Sequence, residues 1–431
     1  MKDIIKKINE IEQTVIDWRR SFHQYPEVGW TEIRTASLVA KELKTLGFKL
    51  MIGREVIEDN KRMGLPSQEV LDAAYDRALH QGADPEFADK LKDGFTGVVG
   101  ILECGDGPTI GMRFDMDALP VSEEHVSSHK PFDQGFISKN ARLMHACGHD
   151  GHTAIGLGIA SVLSSMQSRF MGTIKLIFQP AEEGVRGAKS MVASGVLDDI
   201  DILLGLHLGI KEEGSGSVYA GVSGFYATSK FDICFKGVSS HAGTHPENGR
   251  NALLAGAATA LQLHSIPRHS SGISRINVGR LEAGTGRNII ADQAFMMIET
   301  RGSTSEVNDF MVKEMHRIVE SIAALYQVTY EIEAVGHAEG GTSDEELVNI
   351  VEKVATQLEG LSVKPCLDDF GGSEDFTEMM THVQSNGGKA CYILMGSDIA
   401  APHHNGAFDF EERDMMNAVK LLSLIAETFG D

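Results

Sequence analysis

The stretch Met144-His145-Ala146-Cys147-Gly148-His149-Asp150-Gly151-His152 gathers one thiol and three imidazoles within nine residues. Against 5 cysteines and 17 histidines in a chain of 431 residues, that density singles the stretch out. Cys147 and His149 stand two apart, and Gly148 and Gly151 free the backbone to bend them toward a common point. Thiolate plus imidazole suits zinc, and imidazole also accepts manganese or cobalt. A surface histidine cluster beside an ordinary buried cysteine is the plain alternative. The stretch offers two or three ligands, and a catalytic metal site needs more.

Phe178-Gln179-Pro180-Ala181-Glu182-Glu183-Gly184 adds carboxylates. It follows the strand-like run 172–178, so both glutamates are expected where a strand ends. Adjacent side chains on extended backbone point to opposite sides. One glutamate would then bind a metal while the other faces a water activated by it, as metal-assisted hydrolysis requires. A lone acidic pair is usually a solvated corner; next to the Cys-His cluster the hydrolytic role is favoured.

These residues need elements to hold them. Ile4, Ile8, Ile11, Val15 and Trp18 recur at helical spacing, and a second helix runs from about 31 to 46, stopped by Gly47. Residues 53–93 look inserted, polar and surface-like, with Ser67 and Asp84-Pro85 as helix starts and no visible chemistry. Strands at 96–102 and 109–114 follow, the second leading into Asp115 and Asp117. Those two share a face at strand spacing, either as a pair steering metal ligands or as a strand-end turn. A helix over 151–167, the strand before the glutamates, a small helix at 189–193 and a strand at 201–206 come next. That last strand ends in His207, a core residue or a ligand. It lies at the end of the sheet where α/β folds place their sites.

From about Ser223 the texture changes. Strand 226–235, helix 250–265, strands 272–281 and 291–299, helix 304–326 and strand 328–334 give a β-α-β-β-α-β order. The expected fold is therefore an α/β domain, residues 1–222 plus 339–431, carrying an inserted ferredoxin-like α+β domain at 223–338. The insertion holds its own polar cluster of His241, His245, Arg287 and Asn288. Beyond 342 the pattern is α/β again, with loops at 371–376 and 402–406 and a closing helix at 413–429. His403-His404 offers one more imidazole ligand.

Length alone favours two domains. Lys plus Arg number 39 against 61 Asp plus Glu, a formal charge of −22, which speaks against nucleic acid or an anionic membrane as partner. Cysteines 104, 147, 234, 366 and 391 are odd in number and scattered, which fits a reducing compartment. No signal-type N-terminus and no run of 18 apolar residues occurs, so a soluble, cytoplasmic protein is expected.

The motifs 144–152, Pro180-Ala181-Glu182-Glu183, Gly205-Leu206-His207, Gly372-Ser373-Glu374-Asp375-Phe376 and His403-His404 occur in an order that resembles the amidohydrolase branch of the M20 metallopeptidases. That branch includes hippurate and auxin-amide hydrolases. The resemblance runs from Arg20-Ser21-Phe22-His23 to the last helix. It implies a catalytic domain with two divalent metals, manganese or zinc, and a smaller lid through which subunits pair as homodimer or heterodimer. Carried over by position, Cys147, His149, Glu183, His207 and His404 correspond to ligands and Glu182 to the general base. His404 is preferred to His403 for its spacing to Phe408. His241 and Asn288 correspond to the lid groups on the scissile carbonyl and its oxyanion. Asn288-Ile289-Ile290-Ala291 replaces the Asn-Val-Ile-Pro of relatives. The arginine with which glutamate-specific relatives clamp a carboxylate has only Arg287 and Arg301 as nominal substitutes. With its insert the chain resembles the p-aminobenzoyl-glutamate hydrolases of that branch, which makes that amide the expected substrate. The alternatives are a hippurate-like or other N-acyl amino acid, or a non-catalytic subunit completing a partner's site.

Overall fold

The computed structural model describes residues 1–210 and 214–430, and these divide into two compact units. The larger takes Met1–Ser223, Thr342–Asp369 and the chain from Glu378 onward; the smaller takes Gly224–Gly341 and Phe370–Thr377. Residues 370–377 group with the inserted unit, and hydrogen bonds tie them to Tyr226, just before its long first strand. Tyr226 N donates to Gly372 O at 2.8 Å and Ser373 Oγ to Tyr226 O at 2.7 Å.

Helix α1 (Lys2–Gln24) opens the chain with Ile4, Ile8 and Val15 fully buried, and α2 (Ile33–Thr45) follows. After strand β1 (Lys49–Ile52) comes the insert, with α3 (Gln68–His80) starting behind Ser67. A short turn of helix, Pro85–Ala88, is capped by Asp84, whose side chain accepts from Glu86 N. Most of the insert is exposed, as its composition suggests, but it has a buried apolar side. Val56, Leu71, Ala78, Phe87 and Leu91 are all buried, because Leu71, Ala74 and Ala78 fall on one face of α3 and meet the flank of α2.

Strands β2 (Val98–Glu103) and β3 (Thr109–Asp115), helix α4 (His149–Ser165), and strands β4 (Thr173–Gln179), β5 (Ile202–Leu208) and β6 (Ser217–Tyr219) complete the first pass. The smaller unit then runs β7 (Ala227–Lys236), α5 (Ala252–Leu263), β8 (Ser274–Ala283), β9 (Gln293–Gly302), α6 (Ser305–Tyr326) and β10 (Thr329–Ala338). Back in the larger unit come α7 (Glu345–Ala355), β11 (Ser362–Lys364), β12 (Lys389–Met395) and α8 (Asp414–Thr428).

Among the described residues the larger unit has one eight-stranded mixed sheet in the order β1-β2-β4-β3-β5-β12-β6-β11. Its centre, β4-β3-β5-β12, is parallel. Those four strands are buried almost end to end, the mark of a sheet covered on both faces. The smaller unit has an antiparallel sheet, β10-β7-β9-β8, with α5 and α6 against it. Phe231, Ile233 and Phe235 alternate inward along β7, as a sheet with one covered face demands. No helix among the described residues is long and apolar enough to cross a membrane.

Candidate metal centre

The carboxyl ends of the four parallel strands converge. Asp115 ends β3, the Pro180–Gly187 turn leaves β4, His207 lies at the end of β5, and the loop with His403 and His404 follows β12. The Cys147-Gly148-His149 loop joins them. Gly148 takes φ +90°, a left-handed turn that any other residue would resist, and His149 then opens α4. Gly151 serves a different purpose from bending. It lies inside α4, where a Cβ would meet the Phe410 ring at 2.6 Å.

Among the described residues, the sets of three donor atoms lying within 4.8 Å of one another include Cys147, His149 and His207; Cys147, Glu183 and His404; His149, Glu182 and Glu183; and Asp115, His149 and His152. Cys147 belongs to two of them. Its Sγ is 3.5 Å from His207 Nε2, and His404 Nε2 is 3.5 Å from Glu183 Oε1. The candidate ligands are turned by hydrogen bonds at their far ends. His149 Nδ1 meets Asp117 O at 2.9 Å and His207 Nδ1 meets Leu208 O at 2.8 Å. Among the described residues, that leaves His149 Nε2 buried with no hydrogen-bond partner, and Glu183 Oε1 buried with the His404 ring 3.5 Å away. An orphaned acceptor in such a place is what a cation would satisfy, and thiolate, imidazole and carboxylate donors fit a divalent ion.

Two further histidines are turned to other tasks. His152 meets Asp115 Oδ1 at 2.6 Å through Nδ1 and accepts Leu208 N at 3.0 Å on Nε2, so both of its nitrogens are engaged. His403 Nε2 faces Leu208 O at 3.2 Å, whereas His404 faces Glu183. His404 itself takes φ +64° and is tied to the Cys-His loop by its N–H, 2.7 Å from Ala146 O.

Glu182 and Glu183 depart from the expected geometry. The strand stops at Gln179 and the pair lies in a turn, entered through Ala181 at φ +52° and closed by Val185 N on Glu182 O at 2.7 Å. Their carboxylates therefore reach one neighbourhood instead of opposite faces. Asp117 anchors the turn, accepting Glu182 N and Glu183 N at 3.0 Å, one on each oxygen. Asp115 instead pairs with Arg113 at 2.6 Å and orients His152.

Charge in the site is mutually dependent. Burial, with Glu183 nearby, pushes the Cys147 thiol up to about 12, so a thiolate there needs a cation beside it. Burial opposes ionisation of Asp115, but His149, His152 and Arg113 hold it well below the usual carboxylate range. Burial and the neighbouring His152 and His403 keep His207 neutral, the state in which imidazole binds metal.

The remaining sequence candidates lie in the smaller unit. His241 and Ile289 form a bridge between two loops, and Ala242 N donates to Asn288 O at 3.0 Å, so His241 and Asn288 come together. His241 Nδ1 accepts the N–H groups of Gly243 and Thr244 at 3.1 Å each, which leaves its proton on Nε2. Arg287 is exposed, and Arg301 is tied to Glu299 on its own strand at 3.1 Å. Residues the sequence did not single out include Arg19 and His23, whose buried charges reach Asp150 beside His149.

A profile of the peptidase family M20/M25/M40 matches residues 111–428. Over 426 residues the chain is 45% identical to the indole-3-acetyl-aspartic acid hydrolase of Enterobacter agglomerans, covering 98% of this chain and 97% of that one. Over 431 residues it is 44% identical to one of the subunits of the p-aminobenzoyl-glutamate hydrolase of Escherichia coli (strain K12), covering 100% and 99%. Among solved structures, the aminobenzoyl-glutamate utilization protein of Klebsiella pneumoniae is similar at a TM-score of 0.86 and 40% identity, covering 98% of this chain and 97% of that one.

Proposed function

Since the chain belongs to the peptidase family M20/M25/M40, we propose that this metal-dependent amidohydrolase cleaves the amide of an N-acyl or N-aroyl amino acid, with p-aminobenzoyl-glutamate as its leading substrate. The observation that carries the proposal is the overlap of the donor triads, in which Cys147, His149 and Glu183 each belong to more than one, a donor set that would hold two divalent cations. Cys147, His149, Glu183, His207 and His404 are the residues that would hold them. Manganese and zinc both suit one thiolate among imidazoles and a carboxylate.

Held there, a divalent metal would supply Lewis-acid chemistry, bringing the pKa of a water toward about 7 and polarising the scissile carbonyl. The chain's own groups do the rest. Glu182 takes the proton from the attacking water and returns it to the leaving nitrogen, freeing the amino acid from its acyl group. Asp117 keeps that carboxylate in place through the backbone of the turn. His241, with its proton fixed on Nε2, donates to the oxyanion as it develops, and Asn288 does so beside it. The relatives are named for amides of aspartic acid and glutamic acid, which supports an acidic amino acid as the leaving half.

Pairing through the smaller unit completes the proposal. Leu253, Leu254 and Leu261 on α5 are 40, 46 and 74% exposed, and β8 is an open sheet edge. The Escherichia coli relative is named as one subunit of its hydrolase, which leaves the partner here to be either a copy or a related chain. The test is a release assay with the chain purified alone, stripped by chelator and resupplied with Mn²⁺ or Zn²⁺. p-Aminobenzoyl-glutamate, indole-3-acetyl-aspartate and hippurate form the panel. Metal-dependent release, fastest from the acidic amides, is expected. No release from any amide with either metal overturns the proposal.

A further inference from the structure

The Glu182–Glu183 turn is held by hydrogen bonds from distant parts of the chain and from its own arginine. Ala181 donates its N–H to Glu32 at 2.8 Å, and Asp117 takes the next two N–H groups. The carbonyl of Glu183 accepts Arg186 Nε at 2.8 Å. The same guanidinium reaches out of the turn and donates from Nη1 to Gly64 O at 3.2 Å, across 122 residues of sequence. Gly64 belongs to the 53–93 insert. Its neighbour Met63 is fixed in turn by the indole of the fully buried Trp30, whose Nε1 lies 2.8 Å from Met63 O.

The insert is anchored well enough to serve as a support. The guanidinium carbons of Arg54 and Arg62 lie 3.7 and 3.9 Å from the centre of the Phe95 ring. Glu58 N donates to Ser190 O at 3.0 Å, just beyond the turn itself. A left-handed alanine such as Ala181 persists only where its surroundings hold it. Arginine suits the task, since its planar fork donates in two directions at once and a lysine ammonium is a single point.

We infer that Arg186 is a positioning residue and the insert its strut: Met63 and Gly64 fix the guanidinium, and the guanidinium fixes the turn that carries Glu182 and Glu183. The inference rests on the roles proposed above for those two glutamates.

Arg186→Met keeps the length of the side chain and removes both hydrogen bonds. In the metal-free protein, amide hydrogen exchange over residues 181–187 should speed up while the melting of the whole unit changes little. Titration of the stripped protein with Mn²⁺ should show affinity lowered about 10- to 100-fold, the usual size when a group behind a ligand is lost. In the loaded enzyme kcat should fall more than KM rises, and Arg186→Lys should recover part of each effect. Trp30→Phe removes the N–H on Met63 O and should loosen the same amides, acting through Met63 and Gly64. Unchanged exchange over 181–187 in Arg186→Met overturns the inference, and unchanged exchange in Trp30→Phe overturns the strut. If the turn loosens while Mn²⁺ affinity stays at wild type, the brace stands and the ligand role of Glu183 falls.

Discussion

Asp150 and Arg19 meet at 2.8 Å, Oδ2 to Nε, with both side chains fully buried and 131 residues of chain between them. The pair fastens α1 to the first turn of α4, one residue past His149. Arg19 is also shared with Asp409 at 2.6 Å and Glu412 at 3.4 Å. Burial disfavours each charge alone. Together, Arg19 and the hydrogen bond from His23 hold the Asp150 carboxyl far below its usual range.

Arg19→Met should therefore be costly, because it leaves buried carboxylates without their cation. Breaking one side of a buried pair typically costs about 3–5 kcal/mol. Urea denaturation of the metal-free protein measures it. A loss below about 1 kcal/mol would mean that water or a rearranged side chain replaces the guanidinium.

His23 lies in the same network, 2.8 Å from Asp150 and 2.9 Å from Glu123. Burial lowers its affinity for a proton, but those two hydrogen bonds prevail and raise its pKa to about 9. A group raised in the folded state stabilises fully below its unfolded value, near 6.5, and loses that contribution as pH climbs through about 9. The contribution is on the order of 3 kcal/mol. Denaturation midpoints of the metal-free protein should fall across that window, and His23→Gln should flatten the fall. An equal slope in the variant would assign the pH dependence to another group.

Cys147→Ala removes a donor shared by two of the triads, the one thiol among them. The variant should fold, since Ala146 and Met144 supply the buried apolar contacts of this loop, and it should purify with little metal and no activity. Metal analysis by mass spectrometry decides the matter: wild-type metal content in the variant would sink the assignment of Cys147 as a ligand.

What the sequence could reveal here depended on periodicity. The ferredoxin-like unit was legible because its strands alternate and its helices start at Asn251 and Thr304 caps, which accept Leu254 N and Val307 N. The convergence of Cys147, His149, His207 and the glutamates was legible because each motif ends a strand or opens a helix. The turn at Glu182 was not, since alanine carries none of the signal that glycine gives for a left-handed φ. The surface character of the insert was legible, but its buried side was not, because its apolar residues are sparse and three of them fall on one face of α3. Arg19 had a faint signal: it stands four residues after Val15 and three before Phe22, on the buried face of α1. Nothing in a sequence says that a charge on that face has carboxylates waiting hundreds of residues away.

The glutamates should separate by phenotype. Glu182→Gln removes a proton acceptor and should keep its metals while kcat drops by about 10²- to 10⁴-fold. Glu183→Gln removes a carboxylate 3.5 Å from His404 and should lose metal affinity first. Metal titration and kinetics on the two variants, run side by side, test the division. Exchanged phenotypes would exchange the roles.

The last prediction concerns His241. It lies in the smaller unit, whereas Cys147, His149, Glu183, His207 and His404 lie in the larger. Its Nδ1 is held by Gly243 N and Thr244 N, so a donor on Nε2 is ready before any substrate arrives. If the smaller units pair as proposed and each lends its His241 to the other protomer's centre, the active species is a dimer. His241→Ala and Glu182→Gln should then each be inactive alone. Mixed under conditions where protomers exchange, they should regain activity, because a mixed dimer contains one centre with both groups intact. Counting centres puts the ceiling at about half of wild type per mixed dimer. A mixture that stays inactive despite demonstrated exchange would assign His241 to its own protomer or remove it from the reaction. If the natural partner is a related chain, the same rescue should appear between the two different chains, with His241→Ala in one and the substituted base in the other.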